Sequence, residues 1–476
     1  MKEEAFVKYD YQIAVIGAGS AGLSTAAGAA GLGAKVALIE QDKMGGECLN
    51  SGCVPSKSFL RCAHQAAEIK NSSKYGILAS FEGVDMKALM QRVQGVIREI
   101  EPHDSAQRFK SLGVDVISGQ AQITGPNSIK ADGREISAKY IVIATGSEAI
   151  VPPIKGLLET KHYTNRDIFS LEKLPEKLVI LGGGPIGLEL GQGFCHLGSK
   201  VAVIDMAPKL FTKDDREVGA LMEKIMRSDG MEFYLGATIV EIRKDGESTF
   251  VRISKDGKDT YLEFDTLLVA LGRAAVTDGL GLADAGVATD KRGYIITNKR
   301  QQTSTPSIYA CGDICGPYQF THMAGYQAGI ILRNIIFKLP AKANYSAVPW
   351  VTYAMPEVAH VGYTEDTARE KGLLGDISLE YFNEIDRSKT EDDTAGFLKI
   401  VMDKKKRIIG TTIVGKKAGE MIGLSAIAIK KKIKATYFMN MIFPYPTESE
   451  IYALASRNIA KQSLKPWMKK IIRMLI

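Results

Sequence analysis

Two cysteines carry the most legible chemistry in this chain. Cys48 and Cys53 lie five apart in Gly45-Gly46-Glu47-Cys48-Leu49-Asn50-Ser51-Gly52-Cys53-Val54-Pro55-Ser56-Lys57. The first ten residues are too polar for a signal peptide, and no apolar run is long enough to span a bilayer, so a cytoplasmic location is expected. Structural disulfides are rare there, so a close pair points to redox catalysis or metal binding rather than to a staple. Cys62, Cys195, Cys311 and Cys315 are scattered, and the last two, flanking a Gly-Asp turn, read as buried free thiols.

Elements must position such a pair, and 476 residues exceed one ordinary core, so two to four domains are expected. Hydrophobic residues make up 45% and charged residues 24%, the balance of a globular chain. The net charge of +7 is concentrated: Arg457, Lys461, Lys465, Lys469, Lys470 and Arg473 follow one another with no acid between them. Without that tail the body is nearly neutral, which argues against a general nucleic-acid-binding surface.

Tyr11 to Ile16 reads as a short buried strand, followed by Gly17-Ala18-Gly19-Ser20-Ala21-Gly22, an Ala-rich helical stretch, and a second strand ending at Glu40. Gly17 makes the turn, Gly19 admits a pyrophosphate, and Gly22 lets helix and strand pack. The helix N-terminus offers free N–H groups and a positive dipole to the phosphates. Glu40 is spaced to accept from ribose hydroxyls. The arrangement recurs: Lys177 to Leu181, then Gly182-Gly183-Gly184-Pro185-Ile186-Gly187, a helix, and a strand ending at Asp205. One Gly-rich turn is weak evidence; two in full strand–turn–helix–strand–acid context, with matched spacing, predict two Rossmann-like domains and two dinucleotides.

With these motifs the chain resembles the class I flavin disulfide reductases, which include dihydrolipoamide dehydrogenase, glutathione reductase and mercuric reductase. Further matches are Ala144-Thr145-Gly146-Ser147, similar to the return strand to the FAD domain, and Tyr309-Ala310-Cys311-Gly312-Asp313, similar to the second FAD motif. Pro349 to Glu365 resembles the start of the dimerisation domain. The resemblance implies that Cys53 forms the charge-transfer thiolate against the flavin and that Cys48 is the interchange thiol. Pro55 suits a first helical turn, which would set both sulfurs at one helix N-terminus, where thiolates are favoured. Lys57 and Glu189 match the family's lysine near flavin N5 and its acidic partner. Asp313 matches the carboxylate on the ribityl chain, Thr321-His322 a stretch along the flavin, and Gly46, Gly272 and Gly312 further cofactor contacts. Because the cysteines belong to the first Gly-rich unit, that unit is expected to hold FAD and the second a nicotinamide. NAD is favoured over NADP, since Asp205 would repel a 2′-phosphate and Met206-Ala207-Pro208 offers no Arg.

One departure stands out. The family's His-Pro-Thr-x-x-Glu segment, which reaches across the dimer to supply a base for the interchange thiol, reads Tyr445-Pro446-Thr447-Glu448-Ser449-Glu450. Pro446, Thr447 and Glu450 match; Tyr445 replaces the histidine. An ordinary His titrates near ~6.5 and an ordinary Tyr near ~10, so a phenol is a poor base at neutral pH. His162, His196 and His360 are the other candidates for that role. Mercuric reductases are similar in using a tyrosine here, but also carry a C-terminal cysteine pair, and this chain has no cysteine after Cys315.

The resulting expectation is an α/β protein with two Rossmann-like nucleotide-binding domains and an α+β C-terminal dimerisation domain. The boundaries are residues 1–150 and 278–342 for FAD, 151–277 for NAD(P), 343–455 for the homodimer interface, and a basic tail at 456–476. In the tail, Pro466 can start a helix with Trp467, Met468, Ile471, Ile472 and Leu475 on one face; it reads as packing on the dimer domain or as a peripheral membrane contact. The expected activity passes electrons from NAD(P)H through FAD to Cys48–Cys53 and on to a metal ion, a quinone or a small disulfide. The alternatives are a dihydrolipoamide dehydrogenase acting on protein-bound lipoyl groups and a non-catalytic flavin-binding regulatory subunit.

Overall fold

The computed structural model describes residues 8–464 together with 466, 467 and 474. The chain divides into two compact units, Met1–Glu176 with Asp265–Asn344, and Lys177–Phe264 with Tyr345–Ile476.

In the first unit the strand Tyr11–Ile16 pairs in parallel with Val36–Glu40 on one side and Arg134–Ile143 on the other. Val114–Ser118 continues the sheet beyond Val36–Glu40, and Ile308–Ala310 joins Arg134–Ile143. Ile13 to Ile16 and Val36 to Ile39 are buried without alternation, because both faces of a parallel sheet are covered. The helix Ser20–Ala30 buries Ala21, Ala26 and Ala29, and its small side chains let the helix Thr321–Ile335 approach closely.

The second unit contains the repeat of this plan. Lys177–Leu181, Lys200–Asp205 and Glu232–Leu235 are parallel neighbours, and the helix Pro185–Leu197 follows the first of them. An antiparallel sheet of Thr238–Asp245, Ser248–Lys255 and Lys258–Phe264 is appended. From Pro349 the chain forms a five-stranded antiparallel sheet in the order Pro349–Thr352, Glu357–Gly362, Ile408–Gly415, Phe397–Met402, Asp376–Tyr381. The helices Ala418–Lys430 and Glu450–Ser463 contribute Met421, Ile422, Ile451, Tyr452 and Ala455 to its core, with Ala359, Leu398, Ile400 and Ile413 from the sheet. The α/β class, the two Rossmann-like sheets and the α+β C-terminal part agree with the sequence expectation.

One strand of that core carries a cation. Lys399 is fully buried, with its Nζ 3.2 Å from Asp215, 2.9 Å from Glu217 and 2.7 Å from Glu365. Asp215 also accepts from the Thr412 hydroxyl at 2.5 Å and from the Glu365 N–H at 2.9 Å. The network ties the start of the helix Arg216–Ser228 to the antiparallel sheet.

No helix among the described residues is long and apolar enough to cross a membrane. Pro466 and Trp467 are exposed, and the rest of the proposed amphipathic stretch, from Met468 to Arg473 and Leu475, lies outside the described residues.

Candidate redox and nucleotide-binding site

The two sulfurs occupy two helices rather than one N-terminus. Cys48 lies in the five-residue helix Gly46–Asn50, and Cys53 is the first residue of Cys53–Lys70, with Pro55 in its first turn. Gly52, between them, is neither helical nor extended, which breaks what would otherwise be a single helix. Cys53 is exposed and Cys48 half-buried. The Thr321 hydroxyl donates to Cys48 Sγ at 3.3 Å and stands 3.7 Å from Cys53 Sγ. The Cys48 thiol is pushed well above its ordinary pKa, first by its hydrogen bond with Cys53 and then by burial; bonds with Thr321 and Ser20 act against that shift.

Around the first Gly-rich turn, backbone packs against backbone too closely for side chains. Gly17 has φ of +100°, and a Cβ there would lie 2.5 Å from the Ala144 carbonyl oxygen. A Cβ on Gly22 would lie 1.8 Å from the Gly17 oxygen, and one on Gly46 2.6 Å from Gly19 Cα, so the redox segment rests directly on the turn. Glu40 accepts from the Ala18 N–H at 2.6 Å and from the Asp42 N–H at 2.8 Å, which fixes its carboxylate at the strand end. A shallow cleft, open to solvent, is lined by Gly17, Glu40, Gln120, Thr145, Asp278 and Leu280 among others. Ala144, Thr145 and Gly146 form the turn after Arg134–Ile143, short of the strand Ser147–Ala149. Gly312, at φ +83°, leads into Asp313, whose carboxyl is raised by burial against the pull of Ser147 and Arg273. Gly272, at φ +124°, precedes Arg273, and His322 stacks on Phe320 with ring centroids 5.2 Å apart. The Gly-rich turn, the fixed acid and the cleft beside them fit an extended dinucleotide such as FAD.

The second turn repeats the geometry within its own unit. A Cβ on Gly187 would lie 2.1 Å from the Gly182 oxygen, whereas one on Gly184 would meet nothing within 4 Å. Asp205 accepts from Gly183 N–H at 2.6 Å and Ala207 N–H at 2.7 Å. Glu189 is buried on the helix Pro185–Leu197 and accepts from the Tyr353 N–H at 2.8 Å; Lys57 is on the first unit's helix Cys53–Lys70.

Tyr445 is 72% exposed and its hydroxyl donates to Asp386 Oδ2 at 3.2 Å. That hydrogen bond, with the charge of Asp386 behind it, raises the phenol above its ordinary pKa. Glu450 accepts from the backbone N–H of Thr447 at 3.2 Å. The three other candidate histidines have partners of their own. His360 is fully buried between the Thr412 hydroxyl at 2.7 Å and the Gly362 carbonyl at 3.1 Å, and burial lowers its pKa. His196 is buried with Nε2 3.3 Å from Asp229, and His162 Nδ1 bonds the Thr160 carbonyl at 2.8 Å. The first two are walled off from any substrate.

Sequence reasoning missed several participants: Thr321 as the hydroxyl over the sulfurs, Asp386 on Tyr445, and an ion pair between Glu47 and Arg273. Glu47 and Arg273 each adjoin a quoted motif, Cys48 and Gly272, which is the one signal that could have drawn them in. Asp386 is 59 residues from Tyr445 and carries none.

Two family profiles cover most of the chain: pyridine nucleotide-disulphide oxidoreductase over residues 11–328, and the dimerisation domain of the same family over 348–456. A mercuric reductase of Bacillus cereus is 34% identical over 448 residues, spanning 94% of this chain and 71% of that protein. A dihydrolipoyl dehydrogenase of Thermus scotoductus is 34% identical over 459 residues, spanning 95% and 98%. Among solved structures, the Cu(II) complex of the HOCl-induced flavoprotein disulfide reductase RclA from Escherichia coli superposes with a TM-score of 0.84 at 30% identity, covering 93% of this chain and 98% of that one. With two dinucleotide turns, a paired dithiol and both family domains in place, the chain belongs to the pyridine nucleotide-disulphide oxidoreductases, the flavoenzymes that work with FAD and NAD(P)H.

Proposed function

We propose that this protein takes two electrons from NADH, passes them by way of FAD to the Cys48–Cys53 disulfide, and delivers them to an acceptor that requires little proton transfer at Cys48. A soft metal ion is the favoured acceptor, ahead of a quinone or a small disulfide. The observation that carries this reading is the Tyr445–Asp386 hydrogen bond. A phenol whose proton is held by a carboxylate, and whose pKa lies above the ordinary value, cannot take a proton from a thiol at neutral pH. Reduction of a disulfide acceptor needs a proton delivered to the departing thiol; transfer of a metal ion between thiolates does not. Two relatives support this reading, one named a mercuric reductase and one solved as a Cu(II) complex, while a dihydrolipoyl dehydrogenase is equally similar.

In this reading the first Gly-rich turn and Glu40 hold FAD in the domain of residues 1–150 and 278–342, with Ala144 to Gly146, Gly272, Gly312 and Asp313 contributing. The second turn and Asp205 hold the nicotinamide cofactor in residues 151–277. FAD, when bound, supplies the ring that carries electrons between the nicotinamide and the dithiol. Cys53 would exchange electrons with that ring and Cys48 with the acceptor, while the Thr321 hydroxyl, which donates to the Cys48 sulfur, would steady it as a thiolate. NADH is favoured because the Asp205 carboxylate, already anchored by two backbone N–H groups, sets a negative charge where a 2′-phosphate would sit. The working form is a homodimer in which the Tyr445 segment of one subunit closes over the dithiol of the other. Ile442, 97% exposed, and Met441 and Tyr437 nearby offer the apolar surface such an interface buries.

The test is anaerobic titration with NADH followed by steady-state oxidation against Hg²⁺, Cu²⁺, quinones and lipoamide. Wild-type protein develops a long-wavelength absorbance band that Cys53→Ser lacks, and metal ions outpace lipoamide. An unchanged band in Cys53→Ser refutes the electron path, and lipoamide turnover above that of the metal ions refutes the acceptor class.

A further inference from the structure

Arg273 stands at the centre of a network that the electron path does not use. Its guanidinium is ion-paired with Glu47 and donates to the Ser147 hydroxyl and the Ser147 carbonyl, both at 2.8 Å. Nε also lies 3.9 Å from Asp313 Oδ2. Ser147 closes the link by donating to Asp313 at 2.7 Å. The backbone is fixed too, since the Tyr294 hydroxyl donates to the Arg273 carbonyl at 2.9 Å and is itself held by Gln319 at 3.1 Å. On the far side, Asn165 donates to Glu47 at 2.7 Å and to the Ser51 carbonyl at 3.3 Å, spanning the segment that carries Cys48. Arg273 is 15% exposed, Asp313 23% and Glu47 27%, so solvent screens these charges only in part.

Glu47 immediately precedes Cys48 in the helix Gly46–Asn50, and its charge opposes a thiolate on the next residue. Arg273 cancels it. The same cation lies 3.9 Å from Asp313 and bonds the Ser147 hydroxyl that donates to it, so one side chain bears on both the charge beside the interchange thiol and the second carboxylate of the site. We propose that Arg273 is a positioning residue that locks the Glu47–Cys48 segment against Ser147 and Asp313 and, by neutralising Glu47, keeps that carboxylate from further opposing ionisation of the interchange thiol. The proposal rests on the redox reading of Cys48, and concerns only the equilibrium in which the Cys48 thiol loses a proton to water.

The experiment is alkylation of the dithiothreitol-reduced, FAD-replete protein with iodoacetamide from about pH 7 to 12, a window set by the raised Cys48 thiol, with Cys48 located by mass spectrometry and bound FAD measured alongside. Arg273→Met should raise the pH midpoint of Cys48 alkylation by roughly 0.5–1 unit, the size expected of a partly screened neighbouring charge. Arg273→Lys should recover about half of that shift, because a point cation neutralises Glu47 without the fork that also bonds Ser147. Glu47→Gln combined with Arg273→Met should return the midpoint to the wild-type value. A midpoint unchanged in Arg273→Met at wild-type FAD content overturns the proposal, as does a double variant no closer to wild type than the single. Should Arg273→Met fail to fold, Glu47→Gln alone decides the charge argument: an equal or raised midpoint refutes it. If Cys48 is not alkylated in wild-type protein while Cys53 is, the assignment of the interchange thiol falls, which is a separate failure.

Discussion

Replacing Lys399 by Met removes the buried cation at the centre of three carboxylates. In wild-type protein the ammonium is within 3.2 Å of Asp215, Glu217 and Glu365, and it has no exposure to water. Burial disfavours the charged ammonium, yet bonds to Glu365 and Glu217 outweigh it and its pKa is raised. Truncating one member of such a buried cluster typically costs about 3–5 kcal/mol, because the remaining charges are left uncompensated. The upper part of that range is softened here. Glu217 is 29% exposed and can turn to water, and Arg216 and Arg369 lie 3.6 Å and 2.5 Å from Glu365. A loss near 3 kcal/mol lowers the midpoint by roughly 6–12 °C for a unit of this size. Trp350 reports on the same network, with Nε1 3.0 Å from Asp214 and its ring 4.4 Å from that of His360. Its fluorescence follows the transition, and Glu365→Gln on top of Lys399→Met should recover part of the loss. The pH dependence has a definite sign. The Lys399 bond lowers the Glu365 pKa below its ordinary 4.5, so this contribution is present above that value and is lost as pH falls through the lower folded one. In Lys399→Met the acid-side slope should flatten. A midpoint within about 1 °C of wild type, or a double variant less stable than the single, refutes the reasoning.

Two other outcomes follow from particular side chains. Tyr445→His should raise lipoamide or glutathione disulfide reduction by about a hundredfold, the lower end of what a positioned base contributes, while metal-ion turnover stays within about threefold. A Tyr445→Phe variant that loses disulfide reduction altogether would show that the phenol already serves as the base. Glu448 is buried with neither carboxylate oxygen hydrogen-bonded, and burial raises its pKa. A raised folded value means the native state loses stability as pH rises from about 4.5 towards that value. Glu448→Gln should therefore stabilise the protein by about 1 kcal/mol at pH 7 and by little at pH 4, measured by thermal melts at both; equal shifts at the two pH values would count against this.

The sequence by itself determined the fold class and the family, because both rest on local rules. A buried strand, a turn with no room for Cβ, a helix and a terminal acid follow from residues within some thirty positions of one another, and the pattern occurs twice. The spacing of Cys48 and Cys53 is equally local, though the break at Gly52 that seats them on two helices was not legible. Tertiary structure decided whatever depends on distant residues meeting. Thr321 reaches the sulfurs from 273 residues away, Arg273 reaches Glu47 from 226, and Asp386 meets Tyr445 from 59. It also decided that His360 and His196 are sealed in with their own partners. The physical reason is that periodicity and turn chemistry report the backbone, whereas hydrogen bonds and charge pairs depend on which side chains the packed chain brings within about 3 Å. Tyr445 was visible as a substitution; that its proton is held by a carboxylate, which makes it still less a base, was written only in the folded chain.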